Sequence, residues 1–338
     1  MLLARADLFI FRQVTCADGG NVFSDTLWYT GKERMEKGDN DVKRKVQNRR
    51  EILAAVISLV CFLVVTMFWL LGRPREAAYT ITQYASVTGR QGMCYLITDR
   101  EGHLAVVDGG WKEDGEWLLE LLVEKGGKVD AWILTHPHPD HVGAFNGIYA
   151  SGLVDISTIY AVPVDHDLYQ AKAQPWDEFG VYEEFLKLTE GADNLVYLEE
   201  GDSLDLFGLA MEVFHSFDLA RRAEDKDPCN NGGLIFKLSA REESMLFLAD
   251  VGSVESGYLL EKYGERLQAD YVQMGHHGNG GMEEGVYRQI APKLAFFDMP
   301  DAMMQDAGLD AVNKRTLLES LGAQIRTYGT APNSIGLK

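Results

Sequence analysis

Thr135-His136-Pro137-His138-Pro139-Asp140-His141 packs three histidines and an aspartate into six residues, directly after an apolar, β-branched run that starts at Val129. Imidazole nitrogen and carboxylate oxygen are the donors that suit Zn²⁺, Mn²⁺ or Fe²⁺. In extended backbone alternate residues face the same way, so His136 and His138 can converge on one ion. If the chain turns into a helix at Asp140, that carboxylate and His141 reach a neighbouring ion. Two prolines stiffen the loop and reduce the entropy lost in presenting ligands. The bland alternative, a solvated histidine-rich turn, fits poorly with this density directly after a strand.

Working outward, Val107-Asp108-Gly109-Gly110 precedes this loop, Leu246-Phe247-Leu248-Ala249-Asp250 follows it, and Gly275-His276-His277-Gly278 comes later still. With H-x-H-x-D-H in the lead, this order resembles the metallo-β-lactamase-fold hydrolases over roughly Tyr79 to Lys338. The resemblance implies an α/β fold, an αββα sandwich of two sheets covered by helices. It implies two divalent ions, zinc first with Mn or Fe as alternatives, held by His136, His138, Asp140, His141, Asp250 and His276. Asp108 would lie behind the metal loop and orient it. Asp250 would bridge the ions, Asp140 would also hold the attacking water, and His277 would sit behind the ligands or donate a proton. In the later half, Phe214-His215, Asn230-Asn231-Gly232-Gly233 and His276-His277-Gly278 are similar to the corresponding domain of DNA-uptake competence proteins. The middle histidine of lactamases and glyoxalases is not evident. Asn231 lies nearest to its expected position and is expected behind the ligands, so water would fill a gap at the first ion, and a single-ion site is the alternative.

Strand-like runs are expected at Tyr79–Val87, Met93–Thr98, His103–Asp108, Ile156–Val162, Ala210–Phe214, Gly233–Leu238, Ser244–Ala249, Tyr271–Met274, Leu294–Phe297 and Gln324–Tyr328. Helical patterns are expected at Asp114–Glu124, His141–Tyr149, Asp177–Thr189, Met282–Ile290 and Leu309–Leu321. Other histidines read as structural (His215) or exposed (His103, His166). Trp176, Asp177 and Cys229 to Asn231 are loop positions that could shape a pocket.

Ile52 to Leu71 contains 20 residues without a charge. At ~1.5 Å per residue it is long enough for a hydrocarbon core of ~30 Å. Lys37, Lys43, Arg44, Lys45, Arg49 and Arg50 precede it, and only Arg73, Arg75 and Arg90 follow closely. The positive-inside rule therefore puts the N-terminal side in the cytoplasm and the rest outside. Arg75-Glu76-Ala77-Ala78 is a poor cleavage site, so an uncleaved anchor is expected. The division is then a cytoplasmic tail at 1–51, a transmembrane signal anchor at 52–72 and a hydrolase domain at 77–338. Residues 1–34 lack a pattern, and Met35 opens a short basic lead into the apolar run; initiation at Met35 is expected.

The chain has 32 basic and 51 acidic residues, of which 10 and 8 lie up to Gly72, leaving 22 and 43 beyond it, a net of −21. Such a surface repels nucleic acid, so a nuclease of the competence type is disfavoured and a small-molecule substrate is expected. The membrane is the other expected partner, through 52–71. Neither a G-x-S-x-G elbow, a P-loop nor a dinucleotide fingerprint occurs. A metal-activated water acting on phosphoesters or related small substrates is the leading reading, and a non-catalytic metal-binding scaffold of the same fold is the rival. Of four cysteines, Cys94 and Cys229 fall in the domain, and sequence does not decide whether they pair.

Overall fold

The computed structural model describes residues 25–71, 76–329 and 331–338. Two units result, divided between Pro74 and Arg75. The first holds one helix, Asp25–Leu71. Its stretch Glu36–Phe68, with a most apolar window of mean hydropathy 2.5, is long and apolar enough to cross a membrane. The helix begins well before the apolar run because the polar lead supports it with pairs one turn apart, Lys43 with Asp39 at 2.5 Å and Gln47 with Glu51 at 3.2 Å. Most of the region expected to be patternless, residues 1–24, lies outside the described residues.

The second unit is built on two seven-stranded sheets. In the first, the order is Asn333–Leu337, Tyr79–Gln83, Cys94–Asp99, Leu104–Asp108, Ala131–Ile133, Ile159–Ala161 and Leu195–Tyr197. The first four strands are mutually antiparallel, and the last three add in parallel. In the second, Ser203–Leu206, Leu209–His215, Ile235–Ser239 and Ser244–Phe247 are antiparallel, and Tyr271–Gln273, Leu294–Pro300 and Gln324–Tyr328 continue in parallel. The strand Asn333–Leu337 was not expected; its Asn-Ser-Ile-Gly-Leu has little β-branched character, and it is held by register with Tyr79–Gln83 rather than by propensity.

Strand periodicity explains the layering. Met245 and Phe247 belong to the core between the sheets, while Leu246 and Leu248 belong to the core beneath the second sheet. Phe296 likewise faces the first core, and Ala295 and Phe297 the second. Tyr95 stands edge-on to Phe247 at 5.3 Å and to Phe296 at 6.0 Å, which joins the two sheets face to face. Truncating Phe247 there would cost about 3–5 kcal/mol. Helices Gly115–Glu124, Pro139–Ser151 and Gly180–Leu188 cover the first sheet through Leu118, Leu122, Phe145 and Phe185. Helices Ser256–Tyr263, Glu284–Ile290 and Ala311–Ser320 cover the second through Leu259, Val286, Ile290 and Leu318. The architecture is the expected αββα sandwich. The expected helix over Asp177–Thr189 is divided: a 3₁₀ turn, Pro175–Asp177, comes first, and Glu178 in the left-handed region separates it from Gly180–Leu188.

Candidate metal centre

Three strand ends meet at one edge of the sandwich, and each reaches the site through a non-glycine residue in the left-handed region. These are Asp108 at φ 53°, Ala249 at φ 48°, and the pair His276 and His277 at φ 50° and 58°. Such backbone costs on the order of 1 kcal/mol or more per residue and persists where the surroundings fix it. At Gly278, φ is +99° and a Cβ would collide with the Phe297 ring, so the turn requires glycine.

Asp108 organises the loop that follows Ala131–Ile133. Its Oδ1 accepts from the Thr135 backbone N–H at 2.7 Å, and its Oδ2 accepts from the Thr135 hydroxyl at 2.7 Å and from His141 Nδ1 at 2.7 Å. That holds a proton on Nδ1 and turns Nε2 toward Asp250 Oδ1 at 3.4 Å and Asp140 Oδ1 at 3.9 Å. The helix carrying Asp140 and His141 begins at Pro139, where a missing N–H is harmless. The rings of His136 and His138 lie 4.7 Å apart, and those of His136 and His141 4.0 Å apart.

From the second sheet come Asp250 and His277. The Leu248 and Ala249 N–H groups donate to Gln273 Oε1 at 2.9 Å each, which holds the strand end before Asp250. Gln273 Nε2 in turn donates to Asp298 Oδ2 at 2.9 Å, and Asp298 Oδ1 accepts from Gln83 and the Tyr95 hydroxyl at 2.7 Å each. His277 Nε2 lies 3.1 Å from both Asp140 Oδ2 and Asp250 Oδ2. His277 is fully buried. By contrast, the His276 side chain is 39% exposed, with Nε2 3.7 Å from Asp250. The expected order of this pair is therefore reversed. The first of the two histidines turns its ring outward, and two consecutive left-handed residues swing the next ring into the cluster.

The structure thus brings together His136, His138, Asp140, His141, Asp250 and His277, all buried. Ligand atoms of His136, His141 and Asp250 lie within 4.8 Å of one another, as do those of Asp140, His141 and His277. Burial would raise the Asp250 carboxyl, but the His277 and His141 rings hold it well below the usual range. Asp140 is lowered for the same reason, by His141 and His277 against burial. The His277 ring is pushed up to about 10; burial opposes this, and Asp250 and Asp140 outweigh it. His136 goes the other way, pulled well down by burial and by the neighbouring rings of His141 and His138. Buried atoms without a hydrogen bond include Nε2 of His136, His138, His141 and His277, and Oδ1 of Asp250. Orphaned polar atoms on this scale are expensive unless something satisfies them. Divalent cations would, and mixed imidazole and carboxylate donors of this kind suit zinc, manganese or iron.

Asn231 is not among the clustered ligand atoms. Its Oδ1 accepts from Gly252 N–H at 3.0 Å, two residues past Asp250, and its Nδ2 donates to both Asp225 oxygens at 2.9 and 3.1 Å. Asp225 pairs with buried Arg222 at 2.7 Å, and Arg222 pairs with Glu255. His215 is fully buried, its Nδ1 2.8 Å from the Gly233 carbonyl and its Nε2 3.4 Å from Glu255. His166 opens the short helix His166–Lys172, and His103 binds Asp99 at 2.6 Å away from the site. Cys94 and Cys229 are both buried and unpaired. Sequence reasoning missed Gln273 and Asp298, which bear no motif, assigned no role to Thr135, and gave little weight to Asp177, whose Oδ1 lies 3.3 Å from His138 Nε2.

Residues 87–215 match the family model of the metallo-beta-lactamase superfamily. That stretch runs from just after the first strand, Tyr79–Gln83, to the end of Leu209–His215, and so takes in the histidine-rich loop. Among solved structures it is similar to the metallo-beta-lactamase fold protein YhfI from Bacillus subtilis, at 12% identity and TM-score 0.48, over 77% of this chain and 99% of that one. It is also similar to Igni18, a metallo hydrolase from Ignicoccus hospitalis, at 14% identity and TM-score 0.46, over 77% and 100%. CmlA, a diiron beta-hydroxylase from Streptomyces venezuelae, aligns at 12% identity and TM-score 0.47, over 78% and 55%. No curated protein matches the chain.

Proposed function

We propose that this protein is a membrane-anchored, extracytoplasmic metal-dependent hydrolase of phosphoesters or related small substrates. The observation that carries the reading is the convergence of orphaned imidazole nitrogens and a carboxylate oxygen from three strand ends. His136, His138, Asp140, His141, Asp250 and His277 would hold the ions. Bound there, a pair of divalent ions supplies a water activated at neutral pH and an electrophile for the substrate oxygen. The chain's own contribution is orientation: Asp108 fixes the His141 tautomer, and Gln273 fixes the approach to Asp250. The anchor reading rests on the apolar helix, and sidedness on the basic residues before it. Acidity beyond Gly72 speaks for a small substrate over DNA, which leaves a nuclease of the competence type as the second enzyme reading.

The test is metal content and turnover of the full chain in detergent, loaded with zinc, manganese or iron, on phosphoester, thioester and lactam substrates. Asp140→Ala is expected to lower activity by orders of magnitude with the fold retained. Full activity in chelator-treated, metal-free protein would remove the metallohydrolase reading. A metal-loaded wild type inert on every substrate would favour a scaffold.

A further inference from the structure

Asp177 approaches the cluster from a part of the chain that carries none of the motif residues. It ends the turn Pro175–Asp177, where its Oδ2 accepts from the Gln174 backbone N–H at 2.7 Å. That bond fixes the carboxylate, and the residue is only 6% exposed although its neighbour Trp176 is 70% exposed. Its other oxygen, Oδ1, faces His138 Nε2 at 3.3 Å. His138 Nε2 is buried and has no hydrogen bond. Among the described residues, Asp177 is the one carboxylate placed within ion-pair distance of it.

The two nitrogens of an imidazole point to opposite sides of the ring, so a ring held at Nε2 presents Nδ1. The same device operates on His141 with the nitrogens exchanged: Asp108 takes Nδ1, and Nε2 faces the carboxylates of the cluster. A carboxylate behind a ligating histidine fixes its tautomer and orientation and strengthens it as a donor. We propose that Asp177 is a positioning residue that accepts the His138 Nε2 proton and so commits His138 Nδ1 to the ion on the His136 side. The inference rests on the metallohydrolase reading. It gives that side a device equivalent to Asp108, supplied by a different segment, and makes Asp177 a backing group rather than a stand-in for the absent middle histidine.

Equilibrium competition with a chelator, using Zn²⁺ and separately Co²⁺ on the full chain in detergent, tests this. Asp177→Ala is expected to weaken one of two ions by about 10–100-fold and leave the other unchanged. Asp177→Asn, whose amide oxygen still accepts from Nε2–H, is expected to stay within several-fold of wild type and to keep its cobalt absorption spectrum. Unfolding of the metal-free variants reports the fold, and if the alanine variant does not fold, the asparagine variant carries the test alone. Unchanged affinity in Asp177→Ala would overturn the proposal. So would an Asp177→Asn protein with an altered cobalt spectrum and a loss of 100-fold or more, because that is the behaviour of a direct ligand. A wild type that binds no metal at all would instead overturn the metallohydrolase reading on which the proposal stands.

Discussion

The two sides of the cluster are held in different ways. On one, Asp140, His141 and His277 form charge pairs among themselves and with Asp250, at 3.1 Å for both His277 contacts. Opposite charges keep these groups in place even without an ion, and they push the pKa values of the acids down and of the rings up. On the other side, His136 is pulled toward its neutral form by burial and by the neighbouring rings of His141 and His138. That side is held by the proline-stiffened loop and by groups behind it: Thr135, Asp177 and, past Asp250, the Asn231–Asp225–Arg222–Glu255 brace. A donor set that is already charge-paired must shed protons to take a metal, whereas neutral imidazoles need only a cation.

Asp250 touches both sides, and its loss breaks the comparison outright. Asp250→Ala is expected to abolish binding of both ions, measured by elemental analysis, with activity down by at least three orders of magnitude (~4 kcal/mol or more in the barrier). One full-strength ion retained would show that the two sides are independent. Next in size is the histidine pair. His277→Ala should cost metal on the charge-paired side and most of the activity, while His276→Ala should leave metal content unchanged and activity within a few-fold. The opposite ranking in metal content would restore His276 as the ligand.

The smallest effect concerns the brace. His215 and Arg222 hold the Glu255 carboxyl down from 4.5 to about 2, against burial. A depressed folded-state pKa stabilises above the ordinary value, and that contribution is lost as pH falls through the folded one. Wild type should therefore be more stable than Glu255→Gln by roughly 1–3 kcal/mol near neutrality. The gap should close as pH drops from ~4.5 toward ~2, as read by chemical denaturation at each pH. A gap independent of pH would mean that Glu255 acts through shape alone.

The site was most legible in the sequence where its donors are adjacent. His136 to His141 fall within six residues, directly after the apolar run that contains the strand Ala131–Ile133. His276 and His277 could not be ordered from sequence, because the answer lies in two consecutive left-handed residues rather than in residue type. The use of Asn231 was invisible in the sequence: both ends of its amide are engaged, with Asp225 and with Gly252. Asp177 was hidden by distance along the chain, since a Gln-Pro-Trp-Asp turn carries no metal signature and meets His138 only through the fold. The final strand escaped because long-range register, not composition, holds it.

That strand also sets a schedule. Thr82 and Ser334 share a hydrogen bond across 252 residues of chain. At ~5–20 residues per second, the edge formed by Tyr79–Gln83 stays open on the order of 10 to 50 s after it leaves the ribosome. An unpaired edge of this kind is a template for other strands. During that interval the nascent domain depends on chaperones or on speed, and deletion of 333–337 would make the vulnerable period permanent.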